Sequence, residues 1–197
     1  MNIFRYVVGQ SGDFARALDE WASKAEEYIY LYFNENRENV RNTSFGDCII
    51  KTQLLSNVLV GLEQGFTVDD FRGVQDERGI IQAIATIKDV DLYDEGVKFP
   101  AISLESICNA PWNLIPQVQI ETRKGGPTSL IEEITKESKL KQFGGVIKLF
   151  TVPRARPRYA KIGFIDTDGS GEMLLTRTNS EVFLARQQQL RNLQTFD

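Results

Sequence analysis

Two short apolar runs, Ala101-Ile-Ser-Leu-Glu-Ser-Ile-Cys108 and Gly145-Val-Ile-Lys-Leu-Phe150, flank a segment with helical period from Thr128 to about Gln142. This order constrains the fold more than any other feature of the chain. A strand, a helix and a strand in this order read as a crossover within a mixed α/β sheet. Within the helix Leu130, Ile131, Ile134 and Leu140 make one apolar stripe. The turn that opens it reads Arg123-Lys-Gly-Gly-Pro-Thr128. Unpaired N–H groups and the positive end of the helix dipole suit such a turn to an anion. Gly125 and Gly126 would let backbone approach a phosphate without a Cβ in the way. Arg123 and Lys124 would add opposing charge, and Thr128 or Ser129 could cap the helix. The same residues also describe an ordinary turn at a helix start.

The rest of the chain supplies the elements around this crossover. Met1–Gly9 reads as a first strand. Phe14, Leu18, Trp21, Ala25, Tyr28 and Tyr32 recur at steps of three and four, which predicts a helix over 13–35 capped by Ser11 or Asp13. A second helix is expected over 47–63. Thr67–Glu77 and Gly79–Lys88 read as two strands joined at Glu77-Arg78-Gly79, followed by an acidic turn from Asp89 to Gly96. A hairpin, 164–167 with 172–176, encloses Asp166-Thr-Asp-Gly-Ser-Gly171, and a helix over 180–193 ends the pattern. Early helices, meandering strands and a crossover predict an α/β fold with a mixed sheet and helices on both faces.

Composition removes whole classes of chemistry. The 197 residues are 42% hydrophobic and 25% charged, values of a chain that buries a core. There is no histidine, which excludes Ser-His-Asp and Cys-His catalysis and every imidazole metal site. Cys48 and Cys108 are separated and lie in apolar stretches, so they read as two buried free thiols, and no metal is expected. The Asp166–Gly171 run starts like a calcium loop but lacks the downstream bidentate glutamate. No apolar run is long enough for a bilayer and no signal peptide is visible, so the expected compartment is the cytoplasm. A net charge of −4 argues against broad nucleic-acid binding. The basic run Arg154, Arg156, Arg158 and Lys161 reads as a solvated loop, or as a contact for a phosphate or an acidic acceptor.

Beyond the second strand lies Tyr159-Ala-Lys-Ile-Gly-Phe164. The order strand, glycine-rich turn, helix, strand, short helix, then Tyr-x-Lys-Ile-Gly-Phe resembles the GNAT superfamily of N-acetyltransferases over residues 70–176. In that family an Arg/Gln-x-x-Gly-x-Gly/Ala loop holds the pyrophosphate of acetyl-coenzyme A (acetyl-CoA). Arg123-x-x-Gly126-x-Thr128 matches two of its three marked positions, with Thr where a smaller residue is usual. The resemblance implies a mostly antiparallel central sheet whose two parallel strands, near 101–109 and 145–151, splay apart. It also implies acetyl-CoA as cosubstrate, held by Arg123, Lys124, Gly125, Gly126, Thr128 and Ser129, with backbone at Ile107, Cys108 and Asn109 pairing the pantetheine arm. An N–H there would polarise the thioester carbonyl. Tyr159 would protonate the departing thiolate; its other role is that of a core tyrosine ahead of Ile162 and Phe164. Glu105, on the strand where the family often carries a base, would take the acceptor's proton, its pKa raised by burial. It could equally be an ion-pair partner.

On this reading the chain is one domain, 1–197, with the acceptor side expected in 1–66, sheet and cofactor site in 67–176, and a helix in 177–197. Three features depart from the family pattern. An insertion at 112–122 separates Pro111 from Arg123, Pro153 and Pro157 shorten the helix around Tyr159, and the N-terminal helices are long. Trp112 and Asn113 are candidate acceptor contacts, or simply packed residues. The expected activity is transfer of an acetyl group from acetyl-CoA to a small-molecule amine or another amino group, without nucleic acid or membrane; the chain could pair as a homodimer. The alternative is a catalytically silent domain that binds coenzyme A or a protein partner. A nucleotide-binding module fits the glycine turn but lacks a Walker lysine.

Overall fold

The computed structural model describes residues 4–9, 11–61 and 65–194. Residues 1–3 of the expected first strand, 62–63 of the second helix and 195–197 lie outside this set. The elements are β1 (Arg5–Val8), α1 (Ser11–Phe33), α2 (Ser44–Leu59), β2 (Phe71–Gln75), β3 (Ile81–Asp94), β4 (Val97–Asn109), α3 (Gly126–Leu140), β5 (Ile147–Phe150), α4 (Arg156–Ile162), β6 (Ile165–Asp166), β7 (Glu172–Leu175) and α5 (Arg177–Gln194). The seven strands form a mixed sheet in the order β1-β2-β3-β4-β5-β7-β6. β4 and β5 are parallel, whereas β1–β2, β5–β7 and β6–β7 are antiparallel. The α/β class and the parallel pair around the α3 crossover are therefore as the sequence predicts.

The chain forms two compact units, one of Asn2–Ala85 with Ser106–Pro127, the other of Thr86–Glu105 with Thr128–Asp197. The core of the first is aromatic. Phe14, Leu18, Trp21, Ala25 and Tyr28 of the α1 stripe are buried, with Tyr32 partly so. Trp21 meets Trp112 edge-on at 6.3 Å, and Phe33 stacks on Phe45 at 5.4 Å. The core of the second is aliphatic, with Ile102 and Leu104 of β4, Leu130 and Ile134 of α3, Ile147 and Leu149 of β5, and Leu175 of β7 all buried. Leu140, expected in the α3 stripe, is exposed at the end of the helix.

Three boundaries differ from expectation. Asp13 lies in the first turn of α1, where its charge suits the dipole, rather than at the cap. Thr67–Asp70 does not begin a strand, because the Asp70 carboxylate accepts the Thr67 N–H at 2.7 Å and closes a single 3-10 turn. The acidic stretch Asp89–Gly96 is mostly strand. β3 continues to Asp94, and the turn is only Glu95-Gly96, both at positive φ. Its acids alternate outward and pair with lysines, Asp89 with Lys141 at 2.8 Å and Asp91 with Lys98 at 2.9 Å.

Candidate functional site

The glycine-rich turn is built by packing. α3 starts at Gly126, so Thr128 and Ser129 lie in its first turn and do not cap it. Gly125 turns the chain at φ +98°, a conformation that favours glycine. A Cβ on Gly126 would sit 3.3 Å from the Cβ and carbonyl oxygen of Gln82 on β3, so this glycine lets the helix start approach a strand. This packing role stands beside the phosphate approach expected of Gly126, and a valine there tests packing before it tests a ligand.

Arg123 is engaged within the protein. Its guanidinium donates to Glu77 at 2.9 Å and to the carbonyls of Ile120 and Thr122, and lies 3.8 Å from Asp76. The anion-pairing role expected of it is thus occupied by Glu77, 46 residues away in the sequence. Lys124 is exposed on the same turn. The centre of the network is Asp76, buried on the segment between β2 and β3. It accepts from the N–H groups of Arg78 and Ile80, from the Arg78 guanidinium at 2.9 Å and from Gln82 at 3.1 Å. Burial pushes its carboxyl up, but these donors override it and hold Asp76 below the usual carboxylate range. Gln82 accepts from Trp112 Nε1 and from Asn113 Nδ2, both at 2.9 Å, and donates to the Glu121 carbonyl. Gln82 therefore pins both ends of the 112–122 insertion. Trp112 is fully buried, which places it in the core and not among acceptor contacts.

The parallel strands part as expected. Pairing of β4 with β5 runs Ile102↔Ile147, Ser103↔Lys148, Leu104↔Leu149 and stops there, while β4 goes on to Asn109. Ala101–Leu104 are buried, and Glu105, the next residue, is exposed. The burial expected of Glu105 is therefore not found. Further along the strand, the Ile107 carbonyl accepts from Lys51 of α2 at 2.9 Å. The Asn109 carbonyl accepts from Cys48 Sγ at 3.2 Å and Cys108 Sγ at 3.4 Å, and the Asn109 side chain accepts from Asn113. Both cysteines are free and buried, as predicted. Cys108 and burial together push the Cys48 thiol well up.

Tyr159 lies in α4, a seven-residue helix entered through a 3-10 turn at Pro153–Ala155. Pro157 falls in its first turn, where the missing N–H costs nothing. The Tyr159 ring meets Phe164 edge-on at 5.7 Å. Its hydroxyl has no hydrogen-bond partner among the described residues, so it does not behave as a core phenol tied to a buried acceptor. Burial pushes the phenol above its ordinary value against the pull of the Arg158 guanidinium. The basic run is not one solvated loop. Arg156 pairs with Asp166 at 3.0 Å and donates to the Gly169 carbonyl, tying α4 to the β6–β7 turn. Arg154, Arg158 and Lys161 are exposed. Within the turn, Asp166 accepts from Gly169 N at 2.6 Å and Asp168 from Ser170 N at 2.9 Å, so those carboxylates serve the turn itself.

Sequence reasoning did not anticipate Asp76, Gln82 and Lys51 as organisers of this region. Gln82 did leave a signal, as the one polar residue in the apolar run Ile80-Ile-Gln-Ala-Ile.

Comparison with protein-family models and with curated proteins found no match. Among solved structures the chain is similar to a GCN5-related N-acetyltransferase from Kribbella flavida, at 15% identity over 83% of this chain and 33% of that one, with a TM-score of 0.46. It is similar to the KacTA–DNA complex at 14% identity over 68% of this chain and 86% of that one, TM-score 0.48. It is also similar to AtaTR bound with acetyl-CoA, at 10% identity over 66% of this chain and 84% of that one, TM-score 0.47. The N-acetyltransferase among them belongs to the superfamily that the sequence motifs resemble. The likenesses are too distant to define a substrate, a partner or a residue's role in this chain.

They do correct one expectation. A neighbour held in a DNA complex removes the ground for restricting this chain to small-molecule amines and for excluding nucleic acid. The physical fault lies in using net charge. A sum of −4 over the whole chain does not bound a local face, and Arg154, Arg158 and Lys161 are exposed on or beside one short helix.

Proposed function

We propose that the protein is an acyltransferase that moves the acetyl group of acetyl-CoA to an amino group by direct attack. The observation that carries this reading is Tyr159, a half-buried phenol on α4, held edge-on by Phe164 and without a hydrogen-bond partner among the described residues. In the reaction the amine nitrogen attacks the thioester carbonyl, the carbon–sulfur bond breaks, the thiolate takes the Tyr159 proton, and the proton lost by the amine passes through water to restore the phenol. Backbone N–H groups at Ile107, Cys108 and Asn109, where β4 runs on past its pairing with β5, would stabilise the oxyanion. Backbone N–H groups at Gly125, Gly126, Thr128 and Ser129 would receive the pyrophosphate, with Lys124 beside them. Arg123 supports that turn from within through Glu77.

A second reading, a silent domain that binds coenzyme A or a protein partner, is favoured by one observation, the exposure of Glu105. One experiment separates them. The protein is incubated with acetyl-CoA labelled in the acetyl group and with cell extract separated into protein, RNA and small-molecule fractions, and its melting temperature is measured with acetyl-CoA alone. Label above a heat-inactivated control in any fraction supports the enzyme. A raised melting temperature without label supports the silent binder. No shift at saturating acetyl-CoA, where about 2.7 kcal/mol is expected at a hundred times Kd, removes both.

A further inference from the structure

α4 has only seven residues, and an isolated helix of that length does not hold itself together. Its last turn is closed by backbone, with Gly163 N and Phe164 N both donating to the Tyr159 carbonyl at 3.1 Å. The carbonyls beyond it are satisfied from α5. Arg186 donates to the Lys161 carbonyl at 2.7 Å and to the Ile162 carbonyl at 3.3 Å, and Asn179 Nδ2 donates to the Gly163 carbonyl at 2.7 Å. A guanidinium at a helix C-terminus also opposes the negative end of the dipole. Phe164, which carries the Tyr159 ring edge-on, follows directly on this pinned corner.

We infer that Arg186, assisted by Asn179, is the positioning residue for the Tyr159 phenol. It touches neither the ring nor any reacting atom, and acts by fixing the Lys161–Gly163 corner that sets the ring's direction. The inference rests on the role proposed for Tyr159, and its test has an arm that does not depend on catalysis.

The full chain is labelled with 13C at tyrosine Cζ, and the Tyr159 resonance is identified among the six tyrosines by its loss in Tyr159→Phe. In Arg186→Ala and in Asn179→Ala the Tyr159 resonance should shift or broaden while the other five hold their positions. Arg186→Lys, which keeps a cationic donor, should restore most of it. Where label transfer is found with an extract fraction, Arg186→Ala should lower kcat by about 10- to 100-fold with KM for acetyl-CoA unchanged, because a misplaced group costs rate and not cofactor binding.

An unchanged Tyr159 resonance in both alanine variants overturns the inference, whether or not acetyl transfer occurs. So does equal loss in Arg186→Ala and Arg186→Lys. If Arg186→Ala fails to fold, Asn179→Ala decides on the same resonance. A displaced Tyr159 signal in a protein that labels no fraction keeps the positioning role and removes the acyltransferase reading instead.

Discussion

At the scale of the residue, Tyr159 and Tyr28 show how one side chain takes opposite risks. Tyr28 is buried and Tyr159 half-buried, each raised above its ordinary value by desolvation, and neither hydroxyl has a hydrogen-bond partner among the described residues. For Tyr159, removing the hydroxyl should cost no stability, because no bond is lost, yet kcat should fall by about 10²- to 10⁴-fold if the phenol is the acid. Melting temperature and kcat measured on Tyr159→Phe check this together; a drop in stability at unchanged kcat would return Tyr159 to the core. Tyr28 is packed among Tyr32 and Phe45 with its hydroxyl unpaired. Such a group costs about 1–3 kcal/mol, so Tyr28→Phe should raise the melting temperature by a few degrees. A lower melting temperature in that variant would mean that its hydroxyl has a partner.

At the scale of the element, polar anchors between distant segments decide more than propensity does. Asp76 gathers two N–H groups, Arg78 and Gln82, and Gln82 in turn fixes Trp112 and Asn113. Because the folded Asp76 carboxyl sits below its usual range, its stabilisation is fully present above the unfolded pKa, about 3.9, and is lost as pH falls through the lower folded value. Asp76→Asn should therefore be less stable at pH 7 by about 1–3 kcal/mol and show a shallower acid limb. Denaturant midpoints taken between pH 2 and pH 7 check both parts. Such anchors also mark the limit of what was legible. The crossover 101–150, the α1 stripe and the two free thiols could be read because each depends on local period or composition. The strand at 89–94 was misread as a turn because its alternating acids look like a loop until Lys141 and Lys98 are placed opposite them. Arg123 was misread for the same reason, since its carboxylate partner, Glu77, lies on a segment that the local pattern does not join to it. Glu105 was legible as a strand residue, but its exposure follows from where β5 stops, which β4 does not encode.

At the scale of the whole molecule, the titrating groups lean in one direction above neutrality. Burial pushes Tyr28 up to about 12 and raises Tyr159, and Cys108 with burial raises Cys48. Lys136 is raised as well, since burial, which would lower it, is outweighed by Glu132 at 2.8 Å and Glu133 at 2.6 Å. A group whose folded pKa lies above its unfolded value binds its proton more tightly in the folded state. Its contribution to stability is complete below the unfolded pKa and disappears as pH rises through the folded one. Unfolded thiols and phenols titrate near 8.5 and 10. Stability should consequently hold from pH 7 to about 8.5 and then fall at an increasing slope. Tyrosinate absorbance should show a late phase in which Tyr28 and Tyr159 ionise together with unfolding. Thiol reagents should leave Cys48 and Cys108 untouched until that same transition, because both are buried in the folded state. In Tyr28→Phe the late phase should lose one phenol and the unfolding midpoint should move to higher pH. The idea fails if Tyr28 and Tyr159 ionise near pH 10 while the chain stays folded, or if the thiols react at neutral pH with the fold intact.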